Sequence, residues 1–211
     1  MGNPPSKFYE PLQPQMVPVW ATEPRFVVNR EVTLKLREKM WSWSGDDYDI
    51  KEVGSEQLWF KVKGRAFSIR DKKVIHDFEG KSIINMREQL MSFFEHNHKI
   101  YRGEDDNEEM FKVTSKATFG KAKANVPITN QQNQQPLNIV LKGDVWSTTA
   151  VIYIGEPKQG GIPVAKIHRP INARDLFLDK QDYYLTIAPN VDTCLMVTLC
   201  IILDEMKKDN N

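Results

Sequence analysis

Pro189-Asn190-Val191-Asp192-Thr193-Cys194-Leu195-Met196-Val197-Thr198-Leu199-Cys200-Ile201-Ile202-Leu203 is the stretch on which the reading of this chain turns. A proline followed by Asn190 or Asp192 as N-cap is a helix start signal, and the polar residues Asp204 to Asn211 end the run. The segment between is apolar on every face. As a helix it must be surrounded by protein, and as a strand it must be central in a sheet. Its β-branched residues leave both assignments open on periodicity alone. The apolar core from Cys194 to Leu203 is ten residues long, well below the roughly 18 to 20 needed to span a bilayer. Cys194 and Cys200 inside it read as small buried hydrophobes, which points to a reducing compartment.

Upstream, the pattern is different. Val32-Thr33-Leu34-Lys35-Leu36-Arg37, Leu58-Trp59-Phe60-Lys61-Val62-Lys63 and Ala66-Phe67-Ser68-Ile69 alternate with period two, as strands do. Turn signals separate them at 44–47, 52–55, 70–73, 78–81 and 103–106, and strands resume at Leu137 to Leu141, Ala150 to Ile154, Val164 to Ile167 and Tyr183 to Ile187. This spacing predicts an antiparallel sandwich or barrel. Residues 121–136, polar and rich in Asn and Gln, are expected to form a loop or an ordered excursion. Six of the twelve prolines fall in the first 24 residues, which predicts an extended, flexible tail over 1–24.

The chain also repeats itself at about fifty residues. Arg37 to Trp43 lines up with Arg87 to Phe93, Ile50 with Ile100, and Trp59-Phe60-Lys61-Val62 with Met110-Phe111-Lys112-Val113 one residue further on. One strand meander is used twice, too few copies to close a propeller of that period.

Several motifs in fixed order resemble the LURP-one-related family. They are Phe67-Ser68-Ile69-Arg70-Asp71-Lys72-Lys73, Asp77-Phe78-Glu79-Gly80, Lys99-Ile100-Tyr101-Arg102-Gly103, Leu141-Lys142-Gly143-Asp144-Val145-Trp146 and Val151-Ile152-Tyr153-Ile154-Gly155. The end of the chain, from Ala188-Pro189-Asn190-Val191-Asp192 to Ile201-Ile202-Leu203-Asp204-Glu205-Met206, completes the series. The resemblance implies a mostly β fold, a closed antiparallel barrel of about twelve strands around a buried hydrophobic C-terminal helix, shared with tubby C-terminal domains. It therefore favours the helix over the strand, and it implies a domain over 25–207 between the proline-rich tail and a short polar end at 208–211. The family brings no catalytic activity. Tubby domains bind phosphoinositides through basic surface residues, but this sequence has no alignable motif of that type.

With 29 Lys and Arg against 28 Asp and Glu the net charge is +1, so no nucleic acid is expected as partner and any basic surface must be local. If Leu34, Leu36, Phe60 and Val62 point inward, Lys35, Arg37, Lys61 and Lys63 point outward. With Arg65 and the turn residues Lys72 and Lys73 they form a candidate site for anionic phospholipid. Lys112, Lys116, Lys121 and Lys123 form a second. Met1-Gly2-Asn3-Pro4-Pro5-Ser6 fits an acylation pattern with Gly2 as acceptor, although one myristoyl chain anchors only marginally. The acidic run Glu104 to Glu109 lacks calcium-loop spacing and reads as a solvated hairpin loop. His96 and His98 share a strand face but lack, with His76, a recognisable ligand spacing, so no metal or other cofactor is expected. No nucleophile elbow, zinc-protease helix or P-loop is present.

These features predict a non-enzymatic, cytoplasmic barrel that binds anionic phospholipid, peripherally at the plasma membrane. A scaffold that recruits a protein partner through the proline-rich tail, with Tyr9 and Trp20 as exposed aromatics, is the alternative from another class. Lipid scrambling rests on fold analogy alone.

Overall fold

The computed structural model describes residues 6–37, 48–64, 72–90, 95–144, 149–168 and 182–208. Twelve strands follow one another: β1 (Val32–Arg37), β2 (Tyr48–Glu52), β3 (Leu58–Gly64), β4 (Lys72–Asp77), β5 (Ser82–Leu90), β6 (Glu95–Arg102), β7 (Glu109–Thr118), β8 (Lys121–Asn130), β9 (Gln135–Asp144), β10 (Thr149–Ile154), β11 (Ile162–His168) and β12 (Asp182–Ile187). Each pairs antiparallel with its neighbours in sequence, and β1 pairs with β12 from Val32↔Ile187 to Arg37↔Asp182, which closes the barrel. Closure leaves no edge strand.

The apolar run is helix α1 (Thr193–Lys208), and every described side chain of it is buried. It shares one hydrophobic core with the inward residues of the strands, so the barrel lumen replaces the solvent face it lacks. The helix lies against β7 and β12. Near the β7–β8 turn the wall from β7 to β10 has a row of small residues in register, Ala117, Ala122, Gly143 and Ala150, with Ala124 beside it, while Val113, Val126, Ile139, Leu141 and Ile152 fill the wall further along. At Gly143 even a methyl group would meet Thr149 O at 2.5 Å and Ala150 Cβ at 2.6 Å. The opposite wall carries Leu34, Leu36, Ile50, Phe60 and Val62, all fully buried, as the alternation predicts.

Asp192 is the N-cap. Its Oδ1 accepts from Leu195 N at 3.0 Å, while Oδ2 accepts from Ala21 N at 3.1 Å and Thr22 N at 2.8 Å, and the Thr22 hydroxyl adds a further donor. One carboxylate thus caps the helix and anchors the N-terminal segment. Val19 bridges Val191, Val27 pairs with Asp192, Gln15 N donates to Pro189 O, and Leu12, Val19, Ala21 and Phe26 are buried. The expected flexible tail is therefore a docked strap over its described part, closing the pole where α1 begins. The prolines exclude a continuous α-helix there, leaving only short 3-10 turns at Ser6–Tyr9 and Pro24–Phe26, and pre-order the extended chain that such a strap needs.

Two further expectations are corrected. Residues 121–136 are mostly strand β8 and the start of β9, joined by a turn at 131–134. Ala122, Ala124, Val126 and Ile128 face inward from β8, a period of two hidden by the polarity of the other face. Lys72 and Lys73 lie in β4, not in a turn. The fifty-residue repeat corresponds to β1-β2-β3 and β5-β6-β7. Ile50 and Ile100, Phe60 and Phe111, and Val62 and Val113 fill matching inward positions.

Candidate functional site

The barrel has two poles. α1 runs from the strap-closed pole to the pole where β7 turns into β8, and its last residues meet a buried polar cluster. Lys73 projects inward and pairs with Glu205, each side chain about one-tenth exposed. His98 Nε2 lies 3.6 Å from the other Glu205 oxygen. Burial first, then the Lys73 and His96 charges, push the His98 pKa down to about 3, so the imidazole is neutral at physiological pH. His96 Nδ1 meets Glu88 at 2.5 Å, and the Tyr183 hydroxyl donates to Asp204 at 2.9 Å. His76, on β4, alternates to the outer face, away from His96 and His98. Among the described residues no three His, Cys, Asp or Glu side chains form a metal-holding group. Burial raises the thiol pKa of both Cys194 and Cys200, which leaves neither suited to nucleophilic chemistry.

The seven expected phospholipid ligands are not gathered into one patch. Lys35 is held by Asp182 at 2.8 Å, and that hydrogen bond raises its pKa. Lys72 donates to the Glu104 carbonyl, and Lys73 is inside the barrel. Lys61 and Lys63 do point outward from β3. Arg65 and Gly2 lie outside the described residues, as does the side chain of Arg37.

Cross-strand register, which the sequence does not display, assembles two other cationic rows. The first runs Lys72↔Arg87↔Lys99↔Lys112 over β4 to β7. The acidic run folds against it: Asp106 binds Arg87 at 2.8 Å, and Glu109 reaches Lys99 at 3.6 Å and Lys112 at 3.4 Å. That row carries its own counter-ions. The second runs Lys116↔Lys123↔Lys142 over β7 to β9, with Lys121 two residues from Lys123 on the same face. Glu156 binds Lys142 and, at 3.2 Å, Lys123, and these contacts lower its carboxyl pKa. Among the described residues Lys116 and Lys121 are exposed and have no ion-pair partner. Like charges directly opposite each other destabilise a sheet; register also sets Asp144 opposite Lys121 and Glu95 opposite Lys116.

At the strap-closed pole, Trp20 lines an open groove with Pro18, Pro24, Val27, Val28 and Gln132. Tyr9 is exposed.

Comparison with known proteins shows what the chain as a whole is similar to. The profile described as LURP-one-related matches residues 32–204. The chain is 25% identical over 190 residues to Protein LURP-one-related 15 of Arabidopsis thaliana, covering 89% of this chain and 86% of the relative. It is 26% identical to Protein LURP-one-related 10 of the same plant, covering 89% and 96%. Uncharacterized protein YxjI of Bacillus subtilis (strain 168) is 27% identical, with 82% and 92% covered. The X-ray structure of an Arabidopsis thaliana protein superposes with a TM-score of 0.62 at 23% identity, covering 88% of this chain and 97% of the other, and shows the same fold. Among the described residues no helix is long and apolar enough to cross a membrane.

Proposed function

The chain belongs to the LURP-one-related family, and we propose that it is a non-enzymatic barrel that docks on an anionic phospholipid surface through the outer face of β7 to β9. The observation that carries this reading is the row Lys116, Lys123 and Lys142 with Lys121 beside it, in which Glu156 pairs with Lys123 and Lys142 while, among the described residues, Lys116 and Lys121 have no ion-pair partner. The neighbouring row, built on the same plan, is neutralised by Asp106 and Glu109. A lysine near an anionic leaflet contributes about 1 kcal/mol, so four suffice for reversible, salt-sensitive attachment.

An acyl group on Gly2 would add to it in the right place. Phe8 stacks against His168, the last residue of β11, at 6.1 Å, at the pole where the lysine row ends. Six residues reach at most about 20 Å, comparable with the ~15 Å between β8 and β11 at ~4.8 Å per strand.

The test is flotation of the non-acylated protein with phosphatidylcholine vesicles, with and without phosphoinositide, over a salt series. Binding that requires the anionic lipid, weakens with salt and is lost in Lys116→Glu/Lys121→Glu/Lys123→Glu supports the reading. Absence of binding at the lowest ionic strength, where screening is least, rejects it.

The groove beside Trp20 favours a second reading, a protein-interaction scaffold. A pull-down in which no partner depends on Trp20 counts against it.

A further inference from the structure

The hairpin joining β7 to β8 makes two unfavourable choices at one residue. Its two-residue turn, Phe119-Gly120, is closed by Thr118↔Lys121 and has φ of +49° at Phe119 and +78° at Gly120. Turns with both central residues at positive φ take Asn-Gly or Asp-Gly, because other L-residues crowd their own carbonyl there. Phe119 is also 89% exposed, the most exposed phenylalanine among the described residues. Neither the backbone nor the core gains from an aromatic ring at this position.

Its surroundings indicate what does. The strands that carry the tip present Lys116, Lys121 and Lys123 outward within four residues of it. A ring at the end of a stiff hairpin, rimmed by ammonium groups on long apolar stems, suits a boundary where hydrocarbon lies beneath anionic headgroups. Other apolar side chains are exposed away from this tip, Met16, Val17, Val53, Phe78 and Ile162, but none of them is held at positive φ.

Resting on the phospholipid reading above, we propose that Phe119 is a membrane wedge: the β7–β8 tip inserts its ring below the headgroups of an anionic bilayer while Lys116, Lys121 and Lys123 hold the phosphates. The occupant is the bilayer itself and not a soluble headgroup, because a free headgroup offers the ring nothing apolar.

Two variants test this. Phe119→Asn supplies the residue that the turn prefers, so the protein should fold with an unchanged or higher melting temperature. Its partitioning onto phosphatidylserine-doped or phosphoinositide-doped phosphatidylcholine vesicles should nevertheless fall roughly tenfold, the loss expected for one partly buried aromatic ring. Phe119→Trp should gain fluorescence quenching by vesicles with brominated acyl chains, in excess of the wild type and dependent on anionic lipid. Wild-type partitioning by Phe119→Asn, or no excess quenching in Phe119→Trp, overturns insertion. If the lysine reversals still abolish binding in that case, the electrostatic reading survives without the wedge. If the wild type ignores every vesicle, both fall. Competition by soluble inositol phosphate equal to that by vesicles would show a headgroup site without insertion, and would also overturn the wedge.

Discussion

Replacing Lys73 by Met tests the logic of the barrel interior. Lys73 and Glu205 are each about one-tenth exposed and come from β4 and α1, elements that meet only in the folded lumen. Removing one partner of a buried pair leaves an uncompensated charge and costs about 3 to 5 kcal/mol. For a chain of this size each kcal/mol lowers the melting temperature by about 2–4 °C, so Lys73→Met should melt roughly 6 to 20 °C below the wild type. The double variant Lys73→Met/Glu205→Met, apolar on both sides, should recover most of the loss, giving a coupling of at least about 2 kcal/mol in urea titrations. A single variant within about 1 kcal/mol of the wild type, or a double variant at the sum of its parents, refutes the pairing.

His98, with a folded pKa of about 3 against an ordinary 6.5, contributes stability that is complete above pH 6.5 and lost as pH falls toward 3; His98→Gln should remove close to one proton from the slope of stability against pH in that window. Asp192→Ala strips the cap from α1 and orphans the buried amides of Ala21 and Thr22, a loss of at least about 3 kcal/mol, with limited proteolysis shifting into residues 12–24. Gly143→Ala forces a methyl group into the backbone of β10 and should lower the melting temperature even though alanine is small, whereas Gly80→Asn, at an open turn with φ of +87°, should leave it nearly unchanged.

What could be read in advance follows from how local each signal was. Strand alternation in β1 and β3, the turns at 52–55 and 78–81 and the cap signal, open between Asn190 and Asp192, each lie within a few consecutive residues and stand in the fold, the cap at Asp192; the duplicated meander shows against its second copy about fifty residues on, and its described part stands too. Helix against strand for the last element could not be decided from its own residues. A run that is apolar all round is determined by what encloses it, and the family resemblance supplied that. β8 was missed because Ala122 and Ala124 carry little hydrophobic signal, although the lumen requires small residues next to α1. The strap was missed because its anchor, Asp192, is about 170 residues away in sequence. Lys73 stands in the sequence as a turn residue of 70–73 because the polar run Arg70-Asp71-Lys72-Lys73 hides the start of β4, and its partner Glu205 lies on another element. The row Lys116, Lys123 and Lys142 exists only in register, across three strands.

The direction of α1 bears on how such a barrel can meet a membrane. A helix ends on partial negative charge, but Asp204 and Glu205 in the last turns of α1 are buried, Glu205 is paired with Lys73, and the helix closes on Lys207 and Lys208. Among the described residues these carboxylates therefore present no charge along the axis. The favourable charge lies to one side, on the outer face of β7 to β9, and the apolar tip rises from the end of those strands. A bilayer approached along the barrel axis would miss the lysine row, and one laid flat against the wall would not receive the hairpin tip end-on. Contact that satisfies both the lysines and the ring needs the barrel inclined, with the β7–β8 hairpin as its lowest point. A spin label on exposed Thr129, at the far end of β8, should therefore stay in water while one at Lys121 reports the headgroup region. Equal immersion of the two would mean that the wall lies flat on the bilayer and that the hairpin has no special part in binding.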